Sequence, residues 1–106
     1  MPPHSPGPDE DEVVRLRLYV AGDSPRSQIA LRNIARLGAT PLSGRYQLEV
    51  VDVLRDPARA EEDRILATPT LVRLAPIPRH RILGDLADIE QVVHALVTPV
   101  LEAPAD

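Results

Sequence analysis

Two strand-like segments separated by one helical segment limit this chain's fold more tightly than any other feature of its sequence. Val14-Arg15-Leu16-Arg17-Leu18-Tyr19-Val20 runs with period two, the pattern of a strand with one strongly buried face. Ala21-Gly22-Asp23-Ser24-Pro25 turns out of it, with Ser24 suited to cap a helix and Pro25 pre-set for the first helical position. Ala30, Leu31, Ile34 and Leu37 follow at helical spacing, and Gly38 is a stop signal. Tyr46-Gln47-Leu48-Glu49-Val50-Val51-Asp52-Val53 is a second strand, alternating first and then continuously apolar, which predicts a strand end covered on both faces. Strand, helix, strand at this separation predicts a right-handed parallel βαβ unit.

The second half continues the pattern with a change of direction. Asp56-Pro57 opens another helical segment by the same cap-then-proline logic, of two to three turns, with Glu61, Glu62 and Asp63 near its positive end. The stretch Ile65-Leu66-Ala67-Thr68-Pro69-Thr70-Leu71 then leaves the helix for a strand. Thr68 is restricted to extended backbone by Pro69, and the bond between them has only a small trans preference, so a cis turn is expected there. Thr70–Leu74 reads as a strand, Ala75-Pro76-Ile77-Pro78 as a rigid turn and His80–Leu83 as an antiparallel partner. After Gly84, Asp88 is placed to cap a last helix with the apolar stripe Ile89, Val93 and Leu96, ended by Pro99. The order βαβ-αββα is that of a thioredoxin-like α/β fold, a four-stranded mixed sheet with helices on both faces.

The ends of the chain do not belong to this core. Residues 1–12, rich in proline and closing with Asp9-Glu10-Asp11-Glu12, cannot bury apolar surface and read as a disordered tail, as do residues 99–106. One domain, 13–98, remains. With no Phe, no Trp and only Tyr19 and Tyr46 as aromatics, its core must be built from Leu, Val, Ile and Ala. The absence of cysteine excludes disulfides, thiolate metal sites and thiol redox catalysis. No signal-peptide core and no bilayer-length apolar run is present in the sequence, which predicts a cytoplasmic protein.

Little in the sequence points to catalysis. His4, His80 and His94 are far apart and lack acidic partners at ligand spacing, so no metal site is expected. Glu61-Glu62-Asp63 has nothing apolar around it to raise a pKa and reads as a solvated helix face. Gly22 and Gly38 stand alone, without a phosphate-binding fingerprint, and no cofactor is expected. All twelve basic residues are arginines, among them Arg15, Arg17, Arg26, Arg32, Arg64, Arg73, Arg79 and Arg81. No aromatics are interleaved with them for stacking on bases, and the net charge is −4. An acidic protein partner is therefore a better match for them than nucleic acid. Thioredoxin-like enzymes set a nucleophilic cysteine where Ser24 stands here. A serine there could hold a glutathione thiolate, but helix capping is the favoured reading.

Leu16-Arg17-Leu18-Tyr19-Val20-Ala21-Gly22, Val50-Val51-Asp52-Val53-Leu54, the long run Ala60-Glu61-Glu62-Asp63-Arg64-Ile65-Leu66-Ala67-Thr68-Pro69-Thr70-Leu71, and Arg81-Ile82-Leu83-Gly84-Asp85-Leu86 resemble the KaiB family of circadian clock proteins in order and spacing. The resemblance spans about Leu16 to Val97; the acidic proline-rich N-terminal tail lies outside the usual pattern, as in a homologue from outside the cyanobacteria.

The resemblance implies a non-enzymatic clock or timer component that binds a KaiC-type hexameric ATPase and regulates its phosphorylation and output. A KaiA-type protein or a histidine kinase with a KaiB-like domain would be further partners. It also implies a metamorphic chain: a homo-oligomer, tetramer or dimer, in a resting fold, and a thioredoxin-like monomer when bound, with the part from about Asp56 onward refolded. Partner-binding candidates are Arg17, Tyr19, Arg64, Arg73 and Arg81; fold-switch or hinge candidates are Thr68, Pro69, Pro76, Pro78, Gly84 and Asp85. Glu49 and Ile29 depart from positions often basic in the family, which puts a KaiA-type contact in question. From a different class, the rival readings are a thioredoxin-like glutathione- or peptide-binding protein and a stress-response adaptor.

Overall fold

The structure, a computed structural model, describes residues 13–97. The two tails and the proposed stop at Pro99 lie outside the described residues. The elements are β1 (Val14–Val20), α1 (Pro25–Ile34), a 3₁₀ turn (Ala35–Ala39), β2 (Tyr46–Asp52), α2 (Pro57–Glu62), β3 (Thr70–Ala75), β4 (His80–Leu83) and α3 (Ile89–Val97). The sheet order is β2-β1-β3-β4, with β1 parallel to β2 and antiparallel to β3, and β3 antiparallel to β4. The expected thioredoxin-like α/β architecture is present.

Alternation along β1 divides the molecule into two layers. Val14, Leu16, Leu18 and Val20 join Ala30, Ile34, Leu37, Leu42, Leu71, Leu86, Ile89, Val92 and Leu96 in the main core beneath α1 and α3. Arg15, Arg17 and Tyr19 point the other way, where Tyr19, Val51 and Val72 form a small second cluster with Val53, Ile65 and Leu74 packed against it. Thirteen buried aliphatic residues against two valines and a tyrosine show where the fold is held together.

Several local expectations are corrected. β2 is an edge strand, so its valine-rich end is not covered on both faces: Val51 is buried, whereas Val50 is 46% exposed. α2 has six residues, fewer than two full turns, and Asp56 makes no side-chain capping bond to it. α1 passes into the 3₁₀ turn at Ala35, before Gly38. The buried stripe of α3 is Ile89, Val92 and Leu96, with Val93 only packed against the core. Ser24 does cap α1, accepting from the Ser27 amide at 3.3 Å, and Asp88 caps α3, accepting from the Gln91 amide at 3.2 Å. Thr68-Pro69 is cis, as expected, and so are Ala75-Pro76 and Ile77-Pro78, where no cis bond was expected.

Candidate interaction site on the second face of the sheet

The end of α2 determines what the second face presents. Arg64 adopts the left-handed conformation, φ 53°. Its amide donates to the Glu61 carbonyl at 3.0 Å, and that of Ile65 donates to the Ala60 carbonyl at 2.9 Å. This pair of reverse bonds is a Schellman ending with arginine where glycine is usual. The chain reverses there, and Asp63, the last of the three acids, turns inward.

Asp63 is only 9% exposed and gathers the face around its carboxylate. The Tyr19 hydroxyl donates to Oδ2, as does Arg17 Nη1 at 3.1 Å, while Arg79 Nη1 donates to Oδ1 at 3.0 Å. Arg81 reaches the same turn through the backbone, donating from Nη2 to the Asp63 carbonyl and from Nη1 to that of Arg64 at 3.0 Å. Burial alone would raise the Asp63 pKa, but the Tyr19 hydroxyl and the Arg79 and Arg17 guanidiniums hold it below the ordinary carboxylate value. The Tyr19 hydroxyl is raised, first by burial and then by its bond to that carboxylate.

A second, exposed acid extends the network. Glu49 on β2 accepts two bonds from Arg59 of α2, at 2.6 and 2.8 Å, and one from Arg17 Nε at 2.9 Å. Those partners, Arg59 foremost, lower its pKa to about 2. Glu49 therefore ties α2 to the edge strand. Glu61-Glu62-Asp63 was expected to be wholly solvated; Glu61 and Glu62 are exposed, but Asp63 is not.

The other candidate residues fall into distinct settings. Arg64 and Arg81 are exposed and Arg17 is half-buried, beside one another on this face. Tyr19 is wholly buried and works through Asp63. Arg73, expected at a partner surface, is 0% exposed: it points into the main core, donating to the Leu96 carbonyl at 2.9 Å and the Pro78 carbonyl at 2.8 Å. In this conformation it offers no charge to a partner. Thr68 and Pro69 adjoin Gly84, whose amide donates to the Pro69 carbonyl at 3.0 Å with φ at 107°. The Asp85 carbonyl accepts from Asn33 at 2.8 Å, while Pro76 and Pro78 lie in the β3–β4 turn.

Next to Arg64, a groove of about 330 Å³ is lined by Val53, Pro57, Ala60, Glu61, Ile65, Leu66, Ala67 and Thr68. Leu66 is 96% exposed and Leu54 71%. Two isobutyl groups left in water beside an apolar groove are a feature that composition could not indicate. Sequence reasoning also missed Ser27. It is fully buried, accepting from the Ala21 amide at 3.0 Å and from the Ser24 hydroxyl at 2.8 Å. Ser24 is thus engaged with Ser27 and is not directed at a ligand. Among the described residues, no helix is long and apolar enough to cross a membrane.

Comparisons with known proteins agree with this architecture. In the solved thioredoxin protein Deadhead from the fruit fly, 79% of the chain aligns with 80% of this one at a TM-score of 0.64 and 16% identity. The N-terminal domain of SasA from Synechococcus elongatus aligns over 89% of both chains, with a TM-score of 0.64 and 24% identity. At those identities the likeness is one of fold. Sequence relatives are much nearer. The circadian clock oscillator protein KaiB of Synechococcus sp. strain CC9311 is 51% identical over 81 residues, covering 76% of this chain and 68% of the relative. The circadian clock protein KaiB3 of Synechocystis sp. is 47% identical over 88 residues, covering 83% and 85%. The KaiB domain profile matches residues 17–98, and the chain belongs to the KaiB family of circadian clock proteins.

Proposed function

We propose that this chain is a non-enzymatic binding protein for a KaiC-type hexameric ATPase, acting in a circadian clock or timer by regulating the ATPase's phosphorylation cycle and output. The observation that carries the reading is the pairing of Leu66, 96% exposed at an apolar groove, with the exposed guanidiniums of Arg64 and Arg81 beside it. An apolar anchor within a basic rim is the composition of a protein-docking surface. Arg17 and Tyr19 contribute indirectly, by holding α2 and its Asp63 turn in place. The internal Ser24–Ser27 pair favours binding over the glutathione reading.

On this proposal the thioredoxin-like arrangement is the binding-competent monomer. The resting homo-oligomer would rearrange the half of the chain from Asp56 onward, about the hinge candidates Thr68, Pro69, Pro76, Pro78, Gly84 and Asp85. A KaiA-type protein and a histidine kinase with a KaiB-like domain are the further partners proposed, in the cytoplasm. The test is affinity for the cognate KaiC-type ATPase by interferometry. Leu66→Asp and Arg64→Ala should each weaken binding about tenfold, equivalent to about 1.4 kcal/mol. Unchanged affinity in both variants, or retention only on glutathione resin, would overturn the reading.

A further inference from the structure

β4 is one of the sheet's two edge strands, and what its free side offers follows from the register. The Gly84 amide donates to the Pro69 carbonyl at 3.0 Å, so His80, Ile82 and Gly84 turn their backbone groups toward β3 and the residues between them turn theirs away. The N–H and C=O groups of Arg81 and Leu83 therefore point outward, and among the described residues no backbone group bonds to them. Both residues are exposed, Leu83 to 69%. An open edge is a template for another strand, and natural chains usually cover it or blunt it with charge. Arg81 does not blunt this one, because its guanidinium is drawn back over the second face to the carbonyls of Asp63 and Arg64.

Beside this edge, between β4 and α3, lies a groove of about 540 Å³. Ile82 shares the face of its partner Leu71, toward the main core, and is only half-buried there. With Leu86, Val92 and Ala95 it gives the groove an apolar floor. The side chains of an added strand would alternate between that floor and the exposed Leu83. The charged groups around the groove differ in what they leave free. Asp85 Oδ1 accepts from the Ala87 amide at 3.1 Å, and Asp88 Oδ1 from the Gln91 amide at 3.2 Å. Arg26, in the first turn of α1, is exposed and has no hydrogen-bond or ion-pair partner among the described residues. Its Nη2 lies 3.8 Å from the position a Cβ on Gly84 would take, at the end of β4. A free guanidinium there is complementary to a carboxylate on an incoming segment.

We propose that β4 takes up an extended segment of a partner protein as a fifth strand, with apolar side chains in the groove against α3 and a carboxylate on Arg26. The proposal does not rest on the ATPase, because this groove and the one beside Leu66 are lined by different residues. The probe is a seven-residue acetylated and amidated peptide with glutamate at both ends, threonine at the third and fifth positions, and valine or leucine at the even ones. Titrated into the full-length protein at about 0.05 M salt, it should move the amide protons of Arg81 and Leu83 downfield. Those of His80, Ile82 and Gly84, already turned to β3, should move less. Methylating the peptide's backbone nitrogens one at a time should divide them by parity. One set faces β4, and its methylation weakens binding about tenfold or more; the other leaves binding within about twofold. Arg26→Ala should weaken binding several-fold, and the difference from the parent should vanish at about 0.5 M salt. No shift at millimolar peptide, shifts centred on the Leu66 groove, equal effects of both methylation sets, or an Arg26→Ala variant that binds as well as the parent would each overturn the proposal. So would the same amide shifts arising with protein concentration alone, which would assign the edge to a second copy.

Discussion

Replacing Asp63 with asparagine tests whether one carboxylate organises the second face. The side chain is 9% exposed and accepts from Tyr19, wholly buried, from Arg17, 21% exposed, and from Arg79, 53% exposed. Hydrogen bonds to a charged group contribute about 1.5–3 kcal/mol each, but an exposed pair such as the one with Arg79 adds only a few tenths. Asparagine retains an acceptor for Tyr19 and loses the charge, while its amide NH₂ faces a guanidinium. The expected loss is about 2–3 kcal/mol. With a urea dependence of about 1 kcal/mol/M for a domain of this size, the midpoint should fall by about 2–3 M. The assay is equilibrium unfolding followed by far-ultraviolet dichroism, with Glu62→Gln, at an exposed neighbour, as the control expected within about 0.5 kcal/mol of the parent. A cycle with Tyr19→Phe should return a coupling of about 1 kcal/mol. The pH dependence follows in sign. Asp63's folded pKa lies below its unfolded value of about 3.9, so its contribution is complete above that pH and disappears as pH falls through the folded value. Asp63→Asn should flatten that acid limb. A variant no less stable than Glu62→Gln would refute the reasoning.

Glu49, lowered to about 2 by Arg59 and Arg17, should give a shallower loss of stability between about pH 4.5 and 2, small because the carboxylate is 46% exposed. Glu49→Gln should remove it, and about 0.5 M salt should shrink it in the parent; an acid limb unaltered by both would count against the Arg59–Glu49 tie. Arg64→Gly removes a left-handed non-glycine residue while keeping the carbonyl that Arg81 uses, and should stabilise this conformation by about 0.5–1 kcal/mol in thermal unfolding. A lower melting temperature would show that the arginine side chain itself supports the turn.

The fold was legible because its signals are local and repeated. β1 occupies the segment that alternation assigned and β4 the segment expected as the partner after a short turn, and Ser24-Pro25 and Asp88 start their helices as capping chemistry predicts. The site was less legible because its main feature is one residue in a run of three acids. Nothing in Glu61-Glu62-Asp63 marks the third as buried until α2 ends after six residues and Arg64 reverses the chain. That reversal hides in the sequence because arginine replaces the glycine that would have signalled it. The valine-rich end of β2 misled for a related reason: pattern reports apolar character, whereas the number of layers over a strand depends on where neighbouring elements pack.

Arg73 shows what a stricter use of alternation would have recovered. Leu71 faces the main core, and side chains two apart on a strand share a face, so Arg73 had to point the same way. Tyr19 follows from the same parity, two residues beyond Arg17 on the opposite layer. Once inside, the Arg73 guanidinium meets two backbone carbonyls, one at the negative end of α3, and no carboxylate among the described residues. Its pKa is lowered by burial, and its Nε has no partner. A buried cation held only by carbonyls recovers a fraction of its lost hydration. Both carbonyls belong to the second half of the chain, one from α3 and one from the β3–β4 turn. Arg73 therefore adds little net stability to this packing, while its two hydrogen bonds tie β3 to α3 and to the β3–β4 turn.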